Sequence, residues 1–158
     1  MFPENFIIKE RIRCHAKCSS KKRALEQLGD LLVNTELTLT QDAIFDKLLE
    51  RERLGTTALG HGIALPHARI AGVSEAKGAF IQLCEGIDFG AVDKQPVDLA
   101  FALLVPEEAT DEHLQLLAKL ASMFSNAELC ESLRNADSED ELLNLIEAWE
   151  KQVKATST

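Results

Sequence analysis

His67, His113, Arg51, Thr56 and Thr57 are the residues of this 158-residue sequence whose types and placing suit group-transfer chemistry. One histidine can serve as a nucleophile and a second as its hydrogen-bonding neighbour. Arginine adds a charge that does not titrate away, and hydroxyls add donors. Phosphoryl transfer asks for this set and little covalent machinery, because its catalysis rests on holding an in-line attack and stabilising charge on the equatorial oxygens. Backbone N–H groups at the start of the helix bearing His113 would add further donors.

Each residue also has a reading without chemistry. His113 precedes Leu116, Leu117 and Leu120 by three, four and seven positions, which sets it at the core-facing edge of a helix, where a histidine bonded to a carbonyl fits equally well. Arg51 follows Leu48 by three residues and Arg53 follows Leu49 by four, on opposite flanks of one apolar stripe. Periodicity does not choose between them, and an exposed ion pair with a neighbouring acid, worth ~0.5 kcal/mol, would account for Arg51. His61 stands between Gly60 and Gly62, a place that suits a loop residue with unusual dihedrals.

The elements that must position these groups centre on Gly55-Thr56-Thr57-Ala58-Leu59-Gly60-His61-Gly62-Ile63-Ala64-Leu65-Pro66-His67-Ala68-Arg69. Ile63 to Leu65 reads as a buried strand that Pro66 ends, leaving His67 at a rim, held on one side and open on the other. Upstream, Phe6–Cys18 reads as one or two short strands, and Ser19 or Ser20 caps a helix to about Val33. Lys21, Lys22 and Arg23 crowd its first turn against the helix dipole, as a solvated face or for a partner. Residues 34–40 connect to a helix from Gln41 to about Arg53, capped by Thr40 and ended by Gly55.

Downstream, a strand from Lys77 to Glu85 precedes a turn at 86–90. The apolar run from Pro96 to Pro106 fits a central strand covered on both faces. Thr110 is placed as the cap of a helix to about Ser125, Asn126 as the cap of Ala127–Arg134, and Ser138-x-x-Glu141 as a capping box opening Glu139 to about Lys154. The expectation is one layered α/β domain over residues 6–154, with helices on both faces of the sheet and a tail at 155–158. No internal repeat or low-complexity linker interrupts it.

The composition, 46% hydrophobic and 27% charged, is that of a globular domain. A net charge of −9 disfavours nucleic acid and anionic lipid and favours a basic protein partner. No apolar stretch approaches the ~18 residues of a membrane span and no leader is visible, so the expected location is cytoplasmic. Cys14, Cys18, Cys84 and Cys130 show no framework spacing and are read as reduced thiols. Cys14, His15 and Cys18 lack the further donors that a zinc site needs.

The string Gly55-Thr56-Thr57-Ala58-Leu59-Gly60-His61-Gly62-Ile63-Ala64-Leu65-Pro66-His67 resembles the active-site segment of the fructose/mannitol/nitrogen class of IIA proteins of the bacterial phosphoenolpyruvate phosphotransferase system. The resemblance runs from about Phe6 to Trp149. It takes in Ser20 to Glu26, Leu49 to Thr57 and Asp93 to Pro106, and is closer to the nitrogen-regulatory branch than to the sugar-transport branch. It implies a mixed sheet flanked by helices with the site at one end. It also implies that His67 is phosphorylated through Nε2, with Arg51 as the active-site arginine, His113 as the second histidine, and no metal or cofactor. His61 departs from the family pattern and would bring a third histidine near the site.

The implied donor is an HPr-like phosphocarrier, charged by an enzyme I that uses phosphoenolpyruvate. The implied targets are regulatory proteins such as potassium-transport components or sensor kinases. With no linker, IIB-like domain or membrane span in the sequence, the expectation is a regulator whose phosphorylation state is its output. A sugar-specific IIA passing phosphate to a IIB domain is the alternative, and a metal-dependent hydrolase using His61, His67 and His113 is a remote third reading.

Overall fold

The computed structural model describes residues 2–33 and 39–156. A 3-10 turn at Lys9–Arg11 leads into β1 (Ile12–Ala16), α1 (Lys21–Val33) and α2 (Gln41–Arg53). Three short strands follow, β2 (Ala58–Gly60), β3 (Ile63–Ala64) and β4 (His67–Ile70), and then two long ones, β5 (Lys77–Ile87) and β6 (Val97–Pro106). Helices α3 (Thr110–Phe124), α4 (Ala127–Asn135) and α5 (Glu139–Thr156) complete the domain.

The apolar run of β6 makes it the spine of the sheet. Its alternate residues Leu99, Phe101, Leu103 and Val105 join one core, with side chains from α3, α4 and α5. Ala100, Ala102 and Leu104 join the other, with α1 and α2. Strand alternation therefore persists inside an unbroken hydrophobic stretch, because both faces are covered. β6 pairs antiparallel with β5 (Phe80 opposite Phe101) and parallel with β3 (Ile63 opposite Leu99) and β4 (His67 opposite Leu103). β1 lies parallel to β5 at one edge and β2 antiparallel to β3 at the other, giving the order β1-β5-β6-β3-β2 with β4 also on β6. The sheet is mixed and flanked by helices on both faces, as expected.

Several boundaries differ from the sequence reading, each for a local reason. Only Ile12–Ala16 of the Phe6–Cys18 segment is a strand. The chain before it wraps the buried Arg11, whose guanidinium donates to the carbonyls of Asn5, Phe6 and Gly78. β5 runs on to Ile87 and takes in Gly86, where a Cβ would meet the Pro96 ring at 2.6 Å. The turn moves to Asp88, whose Oδ1 accepts from Gly90 N at 2.9 Å.

Thr40, Ser20 and Asn126 accept first-turn N–H bonds as expected. Thr110 does not cap α3. Two tight turn bonds off the end of β6, Ala109 N to Pro106 O and Thr110 N to Glu108 O (both 3.1 Å), bring Thr110 into the helix as its first residue. In the α5 box Glu141 N reaches Ser138 Oγ, while the Glu141 carboxylate accepts from Asp137 N, one residue earlier than a standard box. α5 continues through Thr156, so 155 and 156 are helix rather than tail; 157, 158 and most of the 34–40 connection lie outside the described residues. No helix among the described residues is long and apolar enough to cross a membrane.

Candidate active site

Pro66 does not end the sheet edge. Its carbonyl accepts from Leu103 N at 2.9 Å, and the chain resumes pairing with β6 as β4 at the next residue. Proline costs the ladder one donor, which breaks the edge into β3 and β4 without turning it away. His67 thus opens a strand, paired on one side with β6, at the edge where α2 of one layer and α3 of the other approach.

The His67 ring is oriented through both nitrogens. Nδ1 lies 2.8 Å from Leu65 O, and since a carbonyl only accepts, Nδ1 carries the proton. Nε2 then presents its lone pair, and Arg51 Nε donates to it at 3.2 Å. Arg51 Nη1 donates to Gly55 O at 2.9 Å, which fixes the guanidinium across the end of α2. Arg53, the other candidate on this helix, is exposed and does not line the site. Burial lowers the His67 pKa; the Leu65 carbonyl works against this, Arg51 adds to it and Glu52 opposes it. The ring is held neutral, the state a nucleophile requires.

His113 comes from the first turn of α3, its ring 5.1 Å from that of His67 and nearly edge-on at 72°. Its Nε2 is buried and has no hydrogen-bond partner among the described residues. Burial, then the charges of His67, Arg69 and Arg51, push its pKa down to about 4. A neutral imidazole with an open polar atom beside a nucleophile costs stability unless a ligand completes it. The two histidines and Arg51 share a cavity of about 760 Å³ that Lys47, Arg69, Glu50 and Glu107 also line. Leu54 and Leu114 stand at its mouth, 82% and 66% exposed.

Thr56 and Thr57 do not line this cavity. The Thr56 hydroxyl donates to Phe89 O at 2.7 Å and accepts from Ala58 N. Thr57 gives its N–H and its hydroxyl to the two oxygens of Glu52, at 2.8 and 2.7 Å. Glu52 is buried and pairs with Lys21 Nζ at 3.0 Å. Lys21 is therefore a clamp between α1 and the last turn of α2, not a solvated cation, and this ion pair outweighs its unfavourable place at the helix start.

His61 is remote from this chemistry. It has φ 56° in the β2–β3 turn and lines a different cavity with Asp93, Asp98 and Arg134. Among the described residues no third histidine joins His67 and His113. The trio proposed as metal ligands is not assembled, and no group of three or more His, Cys, Asp or Glu among the described residues is placed to hold a metal ion. Sequence reasoning missed Arg69 and Glu52. Alternation from His67 would have flagged Arg69; nothing short of the fold brings Lys21 to Glu52.

A neutral histidine oriented through both ring nitrogens, beside a fixed arginine and an unsatisfied histidine, is what the comparisons with known proteins meet. Residues 5–149 match the family model described as phosphoenolpyruvate-dependent sugar phosphotransferase system, EIIA 2. The chain belongs to this family. It is 41% identical over 143 residues to a nitrogen regulatory protein of Klebsiella oxytoca, covering 90% of this chain and 88% of that one. Among solved structures, the nitrogen regulatory protein IIA-Ntr from Neisseria meningitidis superposes with a TM-score of 0.83 at 43% identity, over 89% of this chain and 95% of that one. IIA mannitol from Escherichia coli does so with 0.74 at 27%, over 88% and 97%. The fold is thus that of the EIIA 2 family.

Proposed function

We propose that this protein is a phosphocarrier of the nitrogen-related branch, accepting a phosphoryl group on His67 Nε2 from an HPr-like protein and regulating protein partners by its phosphorylation state. The observation that carries the reading is the His67 ring itself: Nδ1–H held by Leu65 O, and the Nε2 lone pair facing a cavity beside Arg51. In the proposed step Nε2 attacks the donor's phosphorus in line. The bond from phosphorus to the donor breaks, its electron pair leaves with the donor, and the P–Nε2 bond forms. The proton stays on Nδ1, donated to the Leu65 carbonyl, whose oxygen stabilises the positive charge that develops on the ring. Arg51 moves from Nε2 to the equatorial oxygens, and neutral His113, with its proton on Nε2, donates to one of them. Thr56 and Thr57 hold the loop on which Gly55 anchors Arg51.

The regulatory half rests on charge at the cavity. Its lining carries three cations, Lys47, Arg51 and Arg69, against two carboxylates, Glu50 and Glu107. A phosphoryl group of charge about −1.5 to −2 reverses the sign of that corner, between the exposed Leu54 and Leu114. A partner docking on those leucines would therefore meet opposite fields in the two states. The likeness to IIA mannitol favours a second reading, a sugar-specific IIA that passes phosphate to a IIB domain. Affinity capture with the wild type and His67→Gln, run beside a transfer assay with IIB domains, separates the two. Partners that bind only one form support the regulator; rapid transfer to a IIB domain, with no such partner, overturns it.

A further inference from the structure

The sequence motif around the candidate nucleophile stops at His67, yet the strand goes on. Side chains two apart on a strand share a face, so His67 and Arg69 lie on one side of β4 while Ala68 and Ile70 are buried in the α1/α2 core. Two residues span about 6.6 Å along a strand, a gap that the arm of an arginine covers. Arg69 lines the same cavity as His67, Arg51 and His113. Arg51 enters it from α2, and Arg69 enters from the sheet edge.

Among the described residues the Arg69 guanidinium makes no hydrogen bond or ion pair, although Glu50 and Glu107 line the same cavity. The other arginines with clear duties spend them on protein: Arg11 on three carbonyls, Arg13 on Gln27, Arg23 on Glu26, Arg134 on Asp98. Arg69 is charged, exposed and uncommitted, and its field reaches the half-buried His113 ring more strongly than that of Arg51.

We propose that Arg69 is a second cationic ligand of the phosphoryl group on His67, gripping it from the side opposite Arg51. The inference rests on the reading that His67 is phosphorylated. An oxygen of the phosphoryl group bonded to Nε2 gains a planar guanidinium donor, the geometry for which arginine is better suited than lysine. In the unphosphorylated protein the same residue leaves a positive charge at the mouth of the cavity, where it draws in the phosphorylated donor.

The test compares wild type, Arg69→Ala and Arg69→Lys, each incubated with enzyme I, an HPr-like carrier and phosphoenolpyruvate. Melting temperatures check the fold; an exposed strand residue should leave them within a few degrees. Arg69→Ala is expected to slow phosphorylation of His67 by roughly ten- to a hundredfold, with Arg69→Lys recovering part of the loss. In the phosphorylated proteins, ³¹P NMR titration is expected to show the second ionisation of the phosphoryl group raised by roughly half a unit or more in Arg69→Ala, because a neighbouring cation that favours the dianion has gone. A slower rate with an unchanged titration overturns the proposal and leaves Arg69 a docking residue for the donor. Unchanged rate and titration also overturn it, while the reading of His67 stands. A wild type that takes no phosphate on His67 overturns both.

Discussion

The corners around His67 and His61 are built from the same residue types, a histidine near glycines, an arginine and carboxylates, and they differ in what those groups have left to give. At His61 the backbone N–H and carbonyl and the charged side chains are spent on one another. Its N–H donates to Asp93 Oδ2 at 2.8 Å, its carbonyl accepts from Arg134 Nη2 at 2.6 Å, and Arg134 Nε grips both oxygens of Asp98 at 3.1 and 2.8 Å. Gly62, at φ 84°, is required there because a Cβ would meet Arg134 Nη2 at 2.7 Å and Asp98 Oδ1 at 2.9 Å. At His67 the arginine points at a ring nitrogen, a buried imidazole nitrogen lacks a partner, and a further guanidinium is uncommitted. Residue type nominates both corners. Buried hydrogen-bonding capacity without a partner sets the His67 corner apart from the other.

The comparison breaks most sharply at Arg51. Arg51→Ala is expected to slow phosphorylation of His67 by roughly ten- to a thousandfold while the melting temperature moves little, since the side chain's partners among the described residues are the His67 ring and Gly55 O. His113→Ala should fall in the same range. An unfolded His113 variant would move that residue to the structural side of the comparison.

His113 also leaves a signature in stability against pH. Its pKa in the folded chain is about 4, below the ~6.5 of an unfolded histidine, so the unfolded chain binds the proton first as pH falls. Stability from the neutral ring is full above about pH 6.5 and is lost between there and about pH 4. His67, shifted in the same direction, adds to the slope. Denaturant melts over this range should show His113→Gln losing part of the wild-type decline.

At the other corner the effects reverse in kind. Arg134→Ala is expected to cost about 1 kcal/mol, because the pair with Asp98 is partly exposed, and to leave the phosphorylation rate within about twofold. Smallest of all, His61→Gly should raise stability by at most about 1 kcal/mol by relieving a left-handed residue. A large loss of phosphoryl transfer in either variant would erase the distinction between the corners.

What the sequence disclosed divides along similar lines. Helices α2 and α4 were legible with their caps because Thr40 and Asn126 act within three residues, and the run to Pro106 announced a strand covered on both sides. Arg51, His67 and His113 were nominated correctly as neighbours, while the choice between Arg51 and Arg53 needed the packing of α2 on β4. The duties of Thr56 and Thr57 were misread, since whether a hydroxyl faces a ligand or Glu52 depends on a buried carboxylate clamped by Lys21 from α1. Arg69 was passed over because a proline was taken to end the strand that in fact resumes at His67.

The most direct test of the account is to phosphorylate the wild type with enzyme I, an HPr-like carrier and phosphoenolpyruvate, and to locate the label by ³¹P–¹⁵N correlation in protein with ¹⁵N-labelled histidine. The account predicts one acid-labile, base-stable phosphoryl group, bonded to Nε2 of His67 and absent from His67→Gln, which keeps its fold. A phosphoryl group on Nδ1, on another histidine, or undiminished in the folded His67→Gln protein would contradict it.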